Sequence, residues 1–188
     1  MVKFLAKLFS LLAIIIFVSC ETTKYQSHNQ LVAAEMELLD EFLEYVEEDD
    51  NPEGFTTKEL LTDMAVDTID HSLESGMIYF EMKTGSGDLP KAGTEVGYRY
   101  VSYRILEDTA GIARAFASGS NYYQANPEYF TIGDDASSLS YRGIYPGIVE
   151  AITNMRLFGK STVIIPSPIG PGDYVSRMYE LELTYMSK

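Results

Sequence analysis

The sequence predicts an α+β fold, in which an antiparallel sheet of five to six strands wraps on one short helix and an amphipathic helix precedes the sheet. Three observations predict it. Apolar and polar residues alternate in several segments of the C-terminal three-fifths of the chain, as in strands with one buried face. A short helical pattern beginning at Pro146 is followed by the β-branched segment Lys160 to Ile165. Near the N-terminus, apolar residues recur alternately four and three positions apart.

The length and charge of the chain narrow the classes of function. Its 188 residues fit one domain with extensions, and a hydrophobic fraction of 46% is enough for a buried core. The net charge of −14 argues against a nucleic-acid partner, because phosphates repel such a surface. His28 and His71 lack the spacing of metal ligands, and the sequence contains no P-loop or dinucleotide fingerprint. We therefore expect no metal and no cofactor.

The first residues have the pattern of a targeting segment. Lys3 and Lys7 give a positive start, and residues 8–18 are almost wholly apolar but too few to span a bilayer comfortably. Cys20 is the only cysteine, and its position resembles a bacterial lipobox, whose cysteine is lipidated. An ordinary signal with a chance cysteine is the alternative. We expect residues 1–19 to be a lipoprotein signal peptide and the chain to be lipid-anchored to a bacterial membrane in the cell envelope, with the membrane and leaflet left open.

Residues 20–75 are predicted to be a tether and a helical extension. Ser27 and Gln30 form a possible capping box at the start of the amphipathic helix. The apolar positions that define this helix are Val32, Met36, Leu39, Leu43 and Val46. Its acidic residues, beginning with Glu35, are predicted to form a solvated face rather than a calcium site, because no Asp-x-Asp-x-Asp-Gly loop is present. Whether the apolar stripe packs on its own domain or on a partner stays open.

The secondary-structure pattern at the end of this extension is weaker. The segment from Asp49 to Pro52 is predicted to end the amphipathic helix. Thr56 and Glu59 suggest a second capping box and a short helix from about Thr57. The segment 67–74 fits either a continuation of this helix or a loop. Ser75-Gly76 then predicts a break.

Strand patterns fill most of the remaining sequence. The predicted strands are Met77–Lys83, Thr94–Ile105, Ile112–Ala117, Tyr129–Gly133 and a last strand in which Tyr179, Leu181, Leu183 and Tyr185 share one face. The helix from Pro146 places Ile148, Ile152 and Met155 on one apolar face, and Gly159 is predicted to end it in the left-handed conformation. Such a sheet is expected to bury one face and expose the other.

Five segments after residue 75 carry a family resemblance when they are taken together. They are SGMIYFEMKTGSG, PKAGTEVGYRY, PEYFTIG, YPGIVEAITNM and MYELELTYM. In this order they resemble the opening strand, a Pro-Lys-x-Gly strand, an F-x-[LI]-G strand, the short helix and the last strand of FKBP-type peptidyl-prolyl isomerases. The resemblance implies an FKBP-like domain over residues 76–188, in what resembles a bacterial lipoprotein.

The resemblance also implies a substrate pocket. The positions that it assigns to this pocket are Tyr100, Phe116, Ile144, Tyr145, Ile148 and Tyr179. Ile144 and Tyr145 correspond to the pair at which a backbone N–H usually holds the substrate carbonyl, and Ile148 stands where tryptophan is usual. No side chain is expected to act in bond-making chemistry, because prolyl isomerisation only rotates an amide bond.

Several departures from the family pattern bear on activity. Ala117 follows Phe116 where the family has aspartate, and Pro171 stands where it has tyrosine. The loop that normally forms one wall of the pocket is reduced to about Asp173 to Arg177. We expect an isomerase-like protein with weak or no activity, whose partner is a proline-containing polypeptide or an envelope protein. The alternative is a non-catalytic peptide- or protein-binding module, or chaperone.

Overall fold

The computed structural model describes residues 26–46 and 54–188. The helices are α1 (His28–Glu44), α2 (Thr57–Met64), α3 (Ala136–Tyr141) and α4 (Pro146–Thr153). The strands are β1 (Asp67–Asp70), β2 (Ile78–Lys83), β3 (Glu95–Glu107), β4 (Ala113–Ser120), β5 (Glu128–Thr131), β6 (Lys160–Ile165) and β7 (Arg177–Met186). Among the described residues, no helix is both long and apolar enough to cross a bilayer.

The chain divides into two units, Met1–Gln30 and Leu31–Lys188. Within the first, the structure describes residues 26–30, where the Ser27 N–H donates to Oε1 of Gln30 at 2.8 Å and the predicted capping box is confirmed. The predicted signal peptide and Cys20 lie outside the described residues, as does the predicted helix end from Asp49 to Pro52.

The second unit is built on an antiparallel sheet, which confirms the predicted α+β class. The described strands are ordered β1-β2-β6-β7-β3-β4, and β5 pairs with β3 off this path. The sheet has seven strands rather than five to six because Asp67–Asp70, left open between helix and loop, pairs with β2. Thr68 and Ile69 in the middle of β1 are β-branched and suit a strand. The capping box of α2 is confirmed, since Thr56 and Glu59 exchange side-chain and backbone hydrogen bonds.

Helix α4 packs on one face of the sheet as the sequence predicts. Ile148, Ile152 and Met155 are buried in a core with residues from β2, β3, β6 and β7. The helix lies so close to β6 that a Cβ added to Gly147 would be 2.6 Å from Cγ2 of Ile165. The close approach therefore fixes α4 against the sheet, and a glycine makes it possible.

The opposite face of the sheet is also partly buried, so the expectation of a fully wetted face is wrong. Leu39, Phe42 and Leu43 of α1 form a second core with strand residues on this face, among them Ile78, Phe80, Ile105 and Ile164. The apolar alternation of β2 places Ile78 and Phe80 on this face, where water would otherwise contact them. Helix α1 thus packs on its own domain. The boundary at residue 76 stays a prediction.

Three local predictions need correction. Helix α4 ends at Thr153, well before Gly159, and the left-handed residue of the following turn is Phe158 with φ 64°. Tyr185 is exposed instead of sharing the face of Leu183, because a bulge in the pairing of β3 with β7 reverses the side-chain alternation there. Glu35 is not on a solvated face. It is 4% exposed and accepts hydrogen bonds from two serines.

Candidate functional site

A cavity of ≈ 450 Å³ opens beside the N-terminal end of α4. Its aromatic and aliphatic floor is formed by Tyr98, Tyr100, Tyr145, Ile148 and Tyr179. Its charged rim is formed by Arg104, Glu128, Arg142, Asp173 and Arg177. Four of the six predicted pocket residues meet here, and they are Tyr100, Tyr145, Ile148 and Tyr179.

The geometry of the floor follows from the pairing of β3 with β7. Tyr98 and Tyr100 are two positions apart on β3 and point to the same side of the sheet, with ring centroids 6.0 Å apart. Tyr179 on β7 is opposite Ser102, so its ring lies diagonally from Tyr100, at 6.2 Å and an interplanar angle of 63°. Edge contacts of this kind are favourable for aromatic rings. The floor is therefore a rigid aromatic surface held by the sheet.

The hydroxyls of Tyr98, Tyr100 and Tyr179 are neutral donors at pH 7. Burial raises the pKa of Tyr179 to about 12 and also raises the pKa values of Tyr98 and Tyr100. No buried side-chain nitrogen or oxygen of the described residues lacks a hydrogen-bond partner. The Tyr98 hydroxyl has no hydrogen-bond partner within the described ranges, so it is not fully buried. Because Tyr98 lines the cavity, this hydroxyl is accessible from there. The floor thus combines apolar ring surface with hydroxyl groups that a ligand can contact.

The residues at the start of α4 provide a backbone donor. The Ile144 N–H already donates to the Leu139 carbonyl at 2.9 Å. The Tyr145 N–H donates to no group of the described chain, whereas the Tyr145 carbonyl accepts from Ile148 and Val149. Because residue 146 is a proline at the first helical position, it has no N–H to offer at this end of the helix. Tyr145 is therefore the member of the predicted pair whose N–H is available to a ligand.

Two ion pairs organise the rim. Both terminal nitrogens of Arg177 donate to Asp173, at 2.8 and 2.7 Å, in a bidentate arrangement. This contact lowers the pKa of Asp173, so the carboxylate is ionised at neutral pH. Arg142 forms the second pair with Glu128 at 2.7 Å. The rim of the cavity is consequently polar and charged, in contrast to its floor.

Phe116 and Ile144 do not line this cavity, and their predicted placement is corrected here. Phe116 is opposite Arg104 on the far part of the β3–β4 hairpin and is 42% exposed. A bulge at Ser102/Tyr103 in this hairpin brings Ser118 and Gly119 to the cavity wall instead. The Ile144 side chain is buried and lines a separate pocket with residues of α3 and α4.

The charged residues of the rim were not predicted as part of the site. One signal was available for Arg104, because it lies four positions from Tyr100 on the same strand and period 2 places both on one face. The pairing of Arg177 with Asp173 is a local contact four residues apart, which sequence alone does not distinguish from an ordinary surface pair. In the described part of the chain, no group of three or more His, Cys, Asp or Glu side chains could hold a metal ion.

Comparison with curated proteins relates this chain to an FKBP-type protein. The chloroplastic peptidyl-prolyl cis-trans isomerase FKBP20-2 of Arabidopsis thaliana is 30% identical over 143 residues, which are 76% of this chain and 49% of that protein. The chain therefore spans about half the length of this curated relative. No protein-family model matches the chain.

A solved structure adds likeness of fold. A DUF4827 family protein from Parabacteroides distasonis superposes with a TM-score of 0.59 at 15% identity, covering 85% of this chain and 96% of that one. A peptidyl-prolyl cis-trans isomerase from Pseudomonas syringae pv. tomato matches with a TM-score of 0.49 at 18% identity, covering 87% of this chain and 98% of that one. The sequence identity to FKBP20-2 and the antiparallel sheet packed on one short helix lead to one conclusion: the chain contains an FKBP-like domain.

Proposed function

We propose that this chain is an FKBP-type isomerase-like lipoprotein of the bacterial cell envelope, which binds proline-containing segments and has weak or no isomerase activity. The observation that carries the proposal is the Tyr145 N–H beside an aromatic floor, in a cavity of the FKBP-like domain. Tyr100 and Tyr179 offer ring faces and edges to a proline ring, and Ile148 offers aliphatic contact between them. The Tyr145 N–H offers a hydrogen bond to the carbonyl that precedes or follows the proline.

Catalysis makes a further demand on such a cavity. The barrier to rotation about a peptide bond is ~18–20 kcal/mol, and an enzyme must bind the twisted amide more tightly than either planar isomer. Excluding water from the amide favours this difference. Here Asp173 and Glu128 keep charged groups at the rim, where they retain water. Ile148 also presents less flat surface than an aromatic residue would at the floor. These features support weak activity or none.

The second candidate function is a non-catalytic peptide- or protein-binding module, or chaperone. The same charged rim favours it, because binding an extended segment does not require the amide to be stripped of water. An apolar floor with a few polar groups at its edge is the usual composition of a ligand pocket. The two candidates therefore share the cavity and differ only in whether it accelerates isomerisation.

A prolyl-peptide isomerisation assay separates these candidates. The variants are Tyr100→Ala and Tyr179→Ala, and the matched control is Tyr123→Ala, whose side chain is fully exposed and does not line the cavity. We expect little acceleration by the unaltered protein, but measurable binding of a proline peptide that both cavity variants weaken and the control does not. Turnover typical of a complete FKBP-type enzyme, abolished by either cavity variant, would contradict weak activity. Peptide binding that is indifferent to both variants would contradict the proposed site.

The envelope location rests on the sequence pattern around Cys20. We expect the unaltered protein to fractionate with membranes and to carry an acyl mass at this cysteine. Cys20→Ser should release the protein from membranes, because the change removes the thiol that carries the lipid. Stable membrane anchoring usually needs two hydrophobic signals, so little affinity for the membrane should remain. A wild-type protein that is soluble and carries no acyl group would refute lipidation while leaving the peptide-binding proposal untouched.

A further inference from the structure

Two arginines stand directly opposite each other at the rim of the cavity. Arg104 of β3 and Arg177 of β7 are Cα partners in adjacent antiparallel strands. Like charges at such positions are destabilising unless something compensates them. Asp173 compensates Arg177, since both of its carboxylate oxygens accept hydrogen bonds from that guanidinium. The Arg104 guanidinium makes no hydrogen bond or ion pair within the described chain, and Asp173 acts on it only through space.

The rim as a whole has an excess of positive charge. Its three arginines face two carboxylates, and each carboxylate is already paired, Glu128 with Arg142 and Asp173 with Arg177. Arg104 is therefore the arginine of the rim that has no direct partner in the described chain. The chain as a whole has a net charge of −14, so a cavity with a positive surplus runs against the general charge of the protein. Structural pairing holds Arg142 and Arg177, whereas the exposed side chain of Arg104 keeps its donors available to a ligand.

The chemistry of the unpaired groups defines the ligand that would complete them. A guanidinium only donates hydrogen bonds, and its flat fork matches a carboxylate. The neutral hydroxyls of Tyr100 and Tyr179 can donate to the same kind of acceptor. The complementary group is an anionic acceptor, and in a polypeptide this is a carboxylate. Arg104 lies four residues from Tyr100 along β3, roughly 13 Å between Cα atoms. A long side chain at position 104 spans part of that distance.

From this arrangement we infer that the cavity prefers a proline segment with a carboxylate within about four residues of the proline, held by Arg104. The inference rests on the proposed function and names the substrate class of the same site. The carboxylate can come from an aspartate or glutamate side chain or from the C-terminus of the bound chain. Both present the same acceptor to the guanidinium, so the experiment has to distinguish them.

The test measures binding of short peptides to the full chain in mild detergent at low ionic strength. One amidated heptapeptide has a central proline with glutamate two residues away on each side, and its partner has glutamine instead. A third peptide is the glutamine form with a free C-terminal carboxylate. Each is tested on the unaltered protein, on Arg104→Gln and on Lys91→Gln, which removes the same charge at an exposed position outside the cavity.

We expect the glutamate peptide to bind about two- to fivefold more tightly than the glutamine peptide, the range of a partly exposed ion pair. Arg104→Gln should abolish this advantage, Lys91→Gln should keep it, and added salt should reduce it in the unaltered protein. An advantage restricted to the third peptide would identify a chain terminus as the ligand. Thermal melting checks that Arg104→Gln is folded.

Equal binding of all three peptides would overturn the inference, and so would an advantage that survives Arg104→Gln. Peptides with alanine in place of proline measure whether the proline itself is recognised, so they separate failure of the carboxylate inference from failure of the proposed function. If the glutamate peptide binds equally well without its proline, the carboxylate site stands and proline recognition is refuted. If proline matters and neither the glutamate nor the free C-terminus does, the proposed function stands and the carboxylate preference is refuted.

Discussion

Replacing Glu35 tests how firmly α1 is held to the rest of its domain. The Glu35 carboxylate is buried and accepts three hydrogen bonds. Its Oε1 accepts from the Ser167 N–H at 2.7 Å and from the Ser176 hydroxyl at 2.8 Å, and its Oε2 accepts from the Ser167 hydroxyl at 2.5 Å. Glu35→Ala removes all three acceptors and leaves three donors in a site with little access to water.

The expected cost is large for a single substitution. A buried donor left without a partner costs about 1–3 kcal/mol, and these effects do not add fully when the groups share one site. We therefore expect Glu35→Ala to lower the free energy of unfolding by about 3–5 kcal/mol, near the lower end of the sum for three separate unpaired donors. Glu35→Gln should cost less, about 1–2 kcal/mol, because its amide oxygen still accepts and serine hydroxyls can rotate to accept from its NH₂ group.

Thermal melting measures these differences. For a domain of this size, 1 kcal/mol corresponds to about 2–4 °C, so Glu35→Ala should lower the melting temperature by roughly 6–20 °C. Glu37→Ala is the matched control, since Glu37 is exposed on the same helix. Equal melting temperatures for Glu35→Ala and Glu37→Ala would refute the reasoning. The same measurement on a fragment of residues 76–188 tests the predicted domain boundary, which requires cooperative melting without α1.

Three further predictions concern α4 and its surroundings. Ile152→Ala should destabilise the protein by about 2–5 kcal/mol in chemical denaturation, because Ile152 is fully buried against the sheet; a change near zero would contradict this packing. Gly147→Ala should destabilise the protein as well, since the added methyl group would lie 2.6 Å from the Ile165 side chain. An unchanged melting temperature would contradict this and show that β6 shifts to make room. The hydrogen bond that Nδ1 of protonated His71 donates to Oε1 of Glu150 at 2.8 Å raises the pKa of His71, so this pair stabilises the fold below pH 6.5 and the contribution is lost as the pH rises through the raised pKa. The melting temperature of the unaltered protein should therefore exceed that of His71→Gln by more at pH 5.5 than at pH 8.5, and a constant difference would refute the assignment.

The parts of the fold that the sequence predicts are those set by local patterns. Alternation on β2 and β3 and the helical spacing from Pro146 each identify an element and its buried face, because period and burial are coupled within one segment. The capping boxes at Ser27 and Thr56 could likewise be predicted from the sequence, since each depends on two residues three positions apart.

The features that were not predictable depend on pairing between distant segments. Phe116 misses the cavity because it pairs with Arg104, closer to the turn of the β3–β4 hairpin, and no local pattern fixes that register. Glu35 is buried because Ser167 and Ser176, more than a hundred residues later, meet it in space. The acidic residues that follow it on the same helix, such as Glu37, are exposed, so grouping Glu35 with them assigns it to the wrong environment.

The three hydrogen bonds to Glu35 also bear on how the cavity can change. Ser167 and Ser176 stand at the two ends of the loop that joins β6 to β7, and this loop supplies Pro171 and Asp173 to the cavity. The Glu35 carboxylate binds both ends of this loop, so the two ends stay together whatever the conformation of the residues between them. The entropic cost of closing a loop grows slowly with its length. Insertions between residues 168 and 175 can therefore extend the wall of the cavity while the strands on either side keep their register.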